Sequence, residues 1–598
     1  MKLLDALEIL RQPPPPEAPV VRVGLACGFT PLHLQSFLAA RLRAAWPDKD
    51  VQLESGQFGD MVGNIERLSP RADALCAPIE WTDLDRRLGI RSLGQWAAAD
   101  LPDILATAET EAARLTQALL RAAESRPVYA ALPTLPLPPV FPPARWQAAP
   151  AESRLREIAA AAGSALAANP RIRLVSSQWL GERVPPGLRF DPRSELRSGC
   201  PYTLEHADAL AEALALALAP PPAAKGLITD LDGTLWEGLV GEIGGANVRW
   251  ADQANAHLHG LYQRFLGSLA SAGVLLAIAS KNDPDPVAAA LSRRDLLVAP
   301  SSFFPVEVGW GPKSEAVHRI LSRWNISARD VVFVDDSRWE LEEVHTQHPE
   351  MDCLAFPTGD AVALWDLIGR LRDRFGKAGV SAEDAVRLES VRRGGLYQQA
   401  RAAEGQESAL RRAQGVITFS IPGPEDERAF ELINKTNQFN LNGTRWTRAE
   451  WLAFLRRPDS QLLAAAYEDK FGPLGKVAVV AGTRQGRSLR VRSWVMSCRA
   501  FSRQIEHECL RFLFHQSPTG PEAIEFDFAP TPRNTPTREF LATLLDRAPA
   551  GPFTLSRSAF EARCPRPVHR VAAPGILEGG ERPAAACAAP PQGETEHA

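Results

Sequence analysis

The sequence lacks the patterns by which several broad classes of protein are recognised. Its eight cysteines are scattered and form no Cys-x-x-Cys pair, which argues against a zinc site and against a disulfide framework. No uncharged apolar run approaches the roughly 18 residues that a membrane span needs. Asp5 and Glu8 interrupt the apolar N-terminus, so it does not resemble a secretory signal. These absences predict a reduced, cytoplasmic protein without a membrane segment.

An excess of one charge sign is also missing. Lys and Arg number 67 against 71 Asp and Glu, the net charge is −4, and no basic block occurs. Such a chain has no electrostatic footprint for nucleic acid or for an anionic membrane, so we expect neither partner. At 598 residues, 45% of them hydrophobic, the chain is long enough for several cores. Its length predicts about three or four domains.

Proline-rich stretches divide the chain. They lie at 13–16, at 219–224 and in the tail after about residue 572. Proline fixes φ and removes a backbone donor, so such stretches make good linkers. We therefore predict domains at 1–220, 221–375 and 376–572, followed by a disordered tail at 573–598.

Hydrophobic periodicity predicts an α/β multidomain protein. In the first domain, short apolar segments such as Val20–Ala26 alternate with helical patterns such as Leu32–Ala45, an order typical of a parallel sheet. The second domain repeats the alternation more sharply. Its predicted elements are strand Gly226–Asp230, helix Ala256–Ala272, strand Val274–Ala279, helix Lys313–Trp324 and strand Val331–Val334. Strands beyond residue 460 follow a helical region, so the third domain reads as α+β.

The first candidate catalytic segment is Ile228-Thr-Asp-Leu-Asp-Gly-Thr-Leu235. Its apolar strand ends in Asp230, at the edge where open α/β sheets bind ligands, and we interpret Asp230 as a nucleophile toward phosphorus. Asp232 lies just past the strand, where it can protonate the leaving oxygen and later activate water. Gly233 permits a sharp turn, and Thr234 can orient the two carboxylates.

Three further segments follow in order. The strand 274–279 is followed by Ser280, Lys281 and Asn282, which we interpret as phosphate or substrate ligands. Lys313 begins a helix, where a cation can neutralise a transferring phosphoryl group. The strand 331–334 ends in paired carboxylates, which supply the oxygen ligands that Mg²⁺ prefers. The predicted metal ligands are Asp230, Asp232 (through its carbonyl), Asp335 and Asp336.

Each segment also has a bland interpretation. Asp-x-Asp-Gly is a common turn, and a lysine at a helix start is usually solvated. The four segments together favour a functional site over chance, because they occur in order and each falls at a predicted strand end or helix start. A calcium loop is excluded, since position 12 of an EF-hand counted from Asp230 is Gly241 rather than Glu.

These segments resemble the haloacid dehalogenase (HAD) superfamily, and specifically its FkbH-like branch. The matching segments are Asp230-Leu-Asp-Gly-Thr-Leu-Trp236, Gly238-Leu-Val-Gly-Glu242, Ser280-Lys-Asn-Asp283, Phe333-Val-Asp-Asp336, Asn434-Lys-Thr-Asn-Gln-Phe-Asn-Leu-Asn442, Met496-Ser-Cys-Arg499 and Thr531-Pro-Arg-Asn-Thr-Pro536. The resemblance departs at Gly233, where family members usually carry Asn, and at 337–339, which lacks the usual Asn-Pro.

The resemblance implies an SGNH-hydrolase-like N-terminal domain, a HAD-like core without a large cap, and an acyltransferase (GNAT)-like C-terminal domain. It implies a Mg²⁺-dependent phosphatase and glyceryl transferase of polyketide or related biosynthesis. Such an enzyme takes an acyl group from a donor like 1,3-bisphosphoglycerate, removes phosphate, and loads the glyceryl unit onto a phosphopantetheinylated acyl carrier protein. Only 49 residues separate Asp230 from Ser280, and 32 separate Ser280 from Lys313, so no room remains for a large cap.

Acyl transfer needs a second nucleophile, for which Cys498 is the candidate. It follows an apolar strand and is flanked by Arg492 and Arg499, which could lower its pKa toward thiolate; the alternative is a buried, inert cysteine. Arg499 could instead hold a phosphate. An amide-rich patch of Asn437, Gln438 and Asn440 is a candidate substrate ligand, although such residues also cap turns.

The first domain has no Gly-Asp-Ser nucleophile motif, and Cys27 occupies the nearby position. We therefore expect this domain to have lost hydrolase activity and to serve in docking. Three hypotheses remain open for the whole chain: the FkbH-like transferase, a stand-alone HAD phosphatase acting on a phosphorylated sugar or polysaccharide precursor, and a carrier-protein scaffold with a retained site. The intact carboxylates weigh against the scaffold.

Overall fold

The computed structural model describes residues 1–92, 97–251, 254–377, 379–380, 384, 387–389, 391–392, 405–470, 472–497, 500–515, 520–545 and 547–573. The chain forms two compact units, of which the first ends at Pro222 and the second begins at Ala223. Within the described ranges, no helix combines the length and apolar character needed to cross a membrane.

The first unit contains a five-stranded parallel sheet in the order β2-β1-β3-β4-β5. Its strands are β1 (Val20–Leu25), β2 (Asp50–Ser55), β3 (Ala74–Pro78), β4 (Val128–Ala131) and β5 (Ile172–Leu174). Its helices are Leu3–Arg11, Leu32–Ala45, Met61–Leu68, Trp81–Leu84, Leu101–Ala123, Pro150–Ala167, Ser177–Arg183, Pro192–Ser198 and Leu204–Leu218. Helices cover both faces, so β3 is apolar and buried along its whole length. The predicted helix Leu32–Ala45 is confirmed with the same bounds.

The second unit begins with another five-stranded parallel sheet, in the order β10-β9-β6-β7-β8. Its strands are β6 (Gly226–Thr229), β7 (Leu275–Ser280), β8 (Phe303–Val308), β9 (Val331–Asp335) and β10 (Asp352–Ala355). Its helices are Val240–Ile243, Ala254–Ser271, Pro284–Leu291, Lys313–Trp324, Arg338–Gln347 and Ala361–Phe375. The strands predicted around 226, 274 and 331 are therefore neighbours. Because parallel strands end at one edge, their polar ends converge there.

The remaining described chain forms a mixed sheet in the order β17-β16-β15-β14-β13-β11-β18, with β12 paired to β15. The strands are β11 (Val416–Ser420), β12 (Phe439–Asn440), β13 (Ser460–Asp469), β14 (Gly472–Gln485), β15 (Ser488–Met496), β16 (Ala523–Phe526), β17 (Phe553–Ser556) and β18 (Arg570–Ala572). The helices are Gln406–Ala413, Glu427–Lys435, Arg448–Leu455, Ile505–His515, Thr535–Leu544 and Arg557–Arg563. The α+β expectation is confirmed; the SGNH-like and GNAT-like assignments stay predictions.

Candidate active site

Two buried aspartates lie side by side at the carboxyl edge of the second sheet. The backbone N–H of Asp230 donates to the carbonyl of Val334 at 3.0 Å, which continues the pairing of β6 with β9. Asp335 is the last residue of β9, and its side chain is fully buried. Because Asp230 directly follows β6 and Asp335 ends the adjacent β9, the two carboxylates come together, as the sequence pattern predicts.

Lys313 joins these carboxylates. It is 3% exposed, and its Nζ lies 3.1 Å from Asp230 Oδ2 and 2.5 Å from Asp335 Oδ2. It also forms an ion pair with Glu340. The lysine begins the helix Lys313–Trp324 directly after Pro312, which fixes the direction from which its side chain enters the site. One ammonium group thus faces three carboxylates.

Sequence reasoning missed Glu340. This residue lies in the first turn of helix Arg338–Gln347, and Ser337 Oγ accepts its backbone N–H at 3.5 Å. Ser-x-x-Glu is a common helix-capping signature, in which the Glu side chain returns to the cap. Here the Glu340 carboxylate turns to Lys313 instead, and Asp335 Oδ1 accepts the Ser337 N–H at 2.9 Å. The sequence signal that could identify Glu340 is an acidic residue in the first turn of the helix that follows the strand ending in Asp335.

The cluster has the donor set of a divalent-cation site. Asp230, Asp335 and Glu340 each offer an oxygen, and these oxygens lie within 4.8 Å of one another. Asp230 Oδ1 is buried without a hydrogen-bond partner. When all groups are ionised, three carboxylates and one ammonium leave two negative charges, which a divalent cation with oxygen ligands would balance.

The pKa directions agree with this charge excess. Burial raises the pKa of Asp230, and the charge of Lys313 only partly opposes it. Burial and the neighbouring charge of Asp230 raise the pKa of Asp335 to about 7. Burial alone would lower the pKa of Lys313, but the three carboxylates outweigh it and raise the pKa. Lys313 therefore stays protonated, and its single positive charge does not balance the three carboxylates around it.

Asp232 is held apart from the cluster by a separate network. Its Oδ1 accepts the Trp236 indole N–H at 2.7 Å and the Val240 backbone N–H at 3.2 Å. Asn282 donates to Asp232 Oδ2 at 3.2 Å and to Ser280 Oγ at 3.1 Å. The carboxylate is thus fixed beside Ser280 with three donors around it. This arrangement suits an acid–base group whose orientation must not change.

Two hydrogen bonds between Thr234 and Asp336 stabilise the turn after β6. Thr234 Oγ1 accepts the Asp336 backbone N–H at 3.1 Å and donates to Asp336 Oδ1 at 3.3 Å. Gly233 has φ 69°, and a Cβ there would lie 2.4 Å from Asp336 Oδ2. The carboxylate of Asp336 therefore packs against the turn. The metal-ligand roles of Asp232 and Asp336 stay predictions, while their side chains have these other partners.

Lys281, predicted to bind substrate, lies against the helix Arg338–Gln347. Its Nζ is 3.4 Å from Glu340 Oε1 and 3.3 Å from Glu343 Oε2. In this arrangement it neutralises the outer side of Glu340, while Lys313 contacts the inner side. The substrate-binding role of Lys281 stays a prediction.

The amide-rich patch has internal partners. Asn440 is 1% exposed; it donates to the Thr436 carbonyl at 3.0 Å and accepts the Gly443 N–H at 2.8 Å. Asn437 accepts from Arg445. The side chain of Asn440 thus organises its loop, whereas the substrate-binding roles of Asn437, Gln438 and Asn440 stay predictions. Cys498 and Arg499 lie outside the described residues.

Cys27 is a buried thiol in the first unit. It is 1% exposed, and its Sγ donates to the Phe29 carbonyl at 3.3 Å. Burial, and then the charge of Asp83, raise the pKa of the thiol far above its usual range. A thiol in this state is a poor nucleophile. The loss of hydrolase activity in this domain stays a prediction.

Comparisons with known proteins support the fold of the site. No protein-family model and no curated protein matches the chain. The structure is similar to the N-terminal part of a Bacteroides fragilis protein containing a phosphatase domain complexed with Mg, with a TM-score of 0.50, 15% identity, and coverage of 63% of this chain and 100% of that chain. An uncharacterized protein from Corynebacterium glutamicum has a TM-score of 0.19 and 19% identity over 26% of this chain and 99% of its own. The first similarity shows that the fold of this chain resembles that of a protein containing a phosphatase domain.

Proposed function

We propose that the second unit is a Mg²⁺-dependent phosphohydrolase or phosphotransferase with Asp230 as its nucleophile. The observation that carries the proposal is the buried cluster of Asp230, Lys313, Asp335 and Glu340 at the carboxyl edge of a parallel sheet. The B. fragilis protein of similar fold, whose phosphatase domain is complexed with Mg, supports the choice of metal.

The residues divide the reaction as follows. An Asp230 carboxylate oxygen attacks phosphorus, the bond from phosphorus to the leaving oxygen breaks, and Asp232 gives that oxygen its proton. Asp232 then takes a proton from water, which attacks the aspartyl-phosphate, releases phosphate and restores Asp230. In this proposal Lys313 and Ser280 hold oxygens of the phosphoryl group, where an ammonium and a hydroxyl offset its developing charge; the ion pair of Lys313 with Asp230 and the burial of Ser280 support these roles.

Mg²⁺ would be held by Asp230, Asp335 and Glu340, and would neutralise charge on the phosphoryl oxygens. The described chain between β6 and helix Ala254–Ser271 contains the short helix Val240–Ile243 and two isolated bridges, Asp232 with Trp236 and Glu237 with Arg249. Such a small insertion supports an uncapped site. An uncapped site suits a substrate delivered by another domain or protein.

Metal titration tests the ligand assignment. Glu340→Gln and Asp335→Ala should each raise the Mg²⁺ concentration for half-maximal phosphate release by about tenfold or more, because each removes one anionic ligand. High Mg²⁺ should partly restore both. Glu342→Gln, an exposed change on the same helix, is the control and should titrate like wild type. Unchanged Mg²⁺ dependence in both variants would show that these carboxylates do not hold the metal.

For the substrate, we propose a donor like 1,3-bisphosphoglycerate, from which Asp230 removes the ester phosphate, while the acyl phosphate keeps the carbonyl activated until the glyceryl unit passes to the phosphopantetheine thiol of an acyl carrier protein. The FkbH-like resemblance and the small insertion near the site support this choice. Intact-protein mass spectrometry of carrier protein incubated with the enzyme, Mg²⁺ and this donor should show a glyceryl adduct. Phosphate release from sugar phosphates without any carrier adduct would favour the stand-alone phosphatase.

Cys498 is the proposed relay in this transfer. Its thiolate would attack the acyl carbonyl of the donor, expel phosphate and form a thioester, from which the carrier thiol takes the acyl group by exchange. We predict a hydroxylamine-labile glyceryl adduct on the peptide containing Cys498, detected by peptide mass mapping. In Cys498→Ala the adduct and carrier loading should disappear, while the HAD site still hydrolyses a simple aryl phosphate. Normal loading by this variant would show direct attack by the carrier thiol.

A further inference from the structure

Trp310 lies on the rim of the candidate active site. It follows β8 by two residues, and the backbone N–H of Gly309, next to it, donates to the Ser280 carbonyl at 3.1 Å. Lys313, whose ammonium reaches Asp230, begins its helix three residues later. The segment that carries Trp310 is thus fixed at one end to the end of β7 and at the other to the carboxylate cluster.

The indole of Trp310 is exposed, yet it is held in one orientation. The residue is 71% exposed, and its Nε1–H donates to Asp283 Oδ1 at 2.8 Å. An apolar ring left in solvent contributes little burial to the fold. Because the hydrogen bond already restricts the ring, a ligand that contacts its face has less side-chain entropy to lose. The indole face is therefore a preorganised apolar surface.

Asp283 contacts Trp310 rather than capping its own helix. It occupies the N-cap position of helix Pro284–Leu291, where an aspartate side chain commonly accepts a backbone N–H of the first turn. Its side chain makes no such cap hydrogen bond, and Pro286 has no N–H to donate at the third helical position. The hydrogen bond to the indole is therefore the contact that gives this carboxylate a role.

Asp283 also connects Trp310 to the leaving-group side of the site. In the proposed reaction, Asp232 gives its proton to the leaving oxygen. Asn282, the residue before Asp283, donates to Asp232 Oδ2 at 3.2 Å. The side chain that holds the indole thus belongs to the residue next to the one that orients the acid. A leaving group bound at Asp232 extends from this part of the rim.

A second exposed apolar side chain is attached to the same carboxylate. Leu239 is 51% exposed and precedes Val240, whose backbone N–H donates to Asp232 Oδ2 at 3.1 Å. A Cβ at Gly241 would lie 3.8 Å from Asn282 Oδ1, so the loop after β6 contacts the segment after β7 at this point. Both segments that hold Asp232 therefore carry an exposed apolar group at the rim.

We propose that Trp310 binds the organic group of the phosphate ester, with the indole face packed against its hydrocarbon and Asp283 holding the indole in position. This inference rests on the proposed phosphohydrolase function and adds a preference for esters whose leaving group presents a flat hydrocarbon face. The only polar atom of the indole is already bonded to Asp283, so its face is what remains for a ligand. Such a face recognises hydrocarbon through dispersion and ring stacking, whereas the phosphoryl group is recognised by charged and hydroxyl side chains.

Steady-state kinetics of the full chain with 2-naphthyl phosphate and Mg²⁺ tests the proposal. Trp310→Ala should raise KM about tenfold and leave kcat within about twofold, because it removes binding of a group that does not react. Inhibition by inorganic phosphate, which has no organic group, should be unchanged. Trp310→Phe, which keeps an aromatic face, should stay within about threefold of the wild-type KM. Trp365→Ala, which removes a 72% exposed tryptophan from helix Ala361–Phe375, is the matched control and should behave like wild type.

The positioning role of Asp283 has its own pair of variants. Asp283→Ala should raise KM for 2-naphthyl phosphate about threefold at unchanged kcat, because the indole remains but is no longer held. Asp283→Asn should restore the wild-type KM, since the amide oxygen still accepts the indole N–H. Both variants should melt like wild type, because the side chain makes no cap hydrogen bond. A wild-type KM in Asp283→Ala would overturn the positioning role.

The outcomes separate this inference from the proposed function. If the wild type released no phosphate from 2-naphthyl phosphate, the proposed function would fail and the inference with it. If the wild type were active and Trp310→Ala kept the wild-type KM, the inference alone would be overturned. A Trp310→Ala protein with wild-type KM that needs more carrier protein for half-maximal glyceryl loading would identify the indole as a docking contact for the carrier instead.

Discussion

Replacing Asp230 with Asn is expected to lower phosphate release by roughly 10³-fold or more while leaving the chain folded. The amide nearly preserves the shape of the side chain but is no nucleophile toward phosphorus. Lys313 keeps Asp335 and Glu340 as partners, so the buried ammonium stays paired. A continuous phosphate assay on an aryl phosphate measures the effect.

Asp352→Asn is the matched control for this variant. Asp352 begins β10 in the same sheet and forms an exposed ion pair with Arg374. It has no role in the proposed chemistry. It should release phosphate at the wild-type rate. High Mg²⁺ should not restore Asp230→Asn, because the missing group is the nucleophile. Restoration by Mg²⁺ would reduce Asp230 to a metal ligand.

Lys313→Met should have the largest effect on stability. The change leaves three carboxylates, two of them buried, without their ammonium, and breaking a buried pair costs about 3–5 kcal/mol. Burial raises the pKa values of Asp230 and Asp335 in the folded state. The free energy of unfolding therefore falls as the pH rises from the unfolded-state pKa to the folded-state pKa of these groups. The loss should therefore be larger at about pH 8 than at about pH 5, as measured by urea unfolding.

Mg²⁺ gives this prediction a second readout. Because the variant lacks the ammonium, a divalent cation should raise its unfolding temperature by more than it raises that of the wild type. Lys281→Met is the control, since Lys281 also contacts two glutamates but is 27% exposed, and it should cost about 1 kcal/mol or less. Equal stability losses in the two variants would contradict the account of the buried cluster.

The aspartates and Lys313 were predictable because each follows or precedes a strongly periodic segment. The apolar runs before Asp230 and Asp335 fix two neighbouring strands, and parallel strands must deliver their end residues to one edge. Lys313 was found as the first residue of a confirmed helix. These inferences needed only the local period and the rule that ligands bind at strand ends.

The orientation of side chains beyond the strand ends was not predictable in this way. Glu340 follows Ser337 with capping-box spacing, and only the tertiary position of Lys313 draws its carboxylate away from the cap. The sequence groups Asp336 with Asp335 as a predicted metal ligand but does not predict that the Asp336 side chain faces Thr234 across Gly233. Adjacent residues point in different directions once a strand ends, and sequence spacing does not record which one faces the site.

Trapping the covalent intermediate tests the central claim most directly. The enzyme is quenched during turnover of an aryl phosphate with Mg²⁺, reduced with borohydride, digested and mapped by mass spectrometry. Borohydride converts an aspartyl-phosphate to homoserine, so the account predicts homoserine at position 230 in the wild type and none there in Asp230→Asn. Homoserine at another aspartate, or continued phosphate release with no homoserine at any position, would contradict the assignment of Asp230 as the nucleophile.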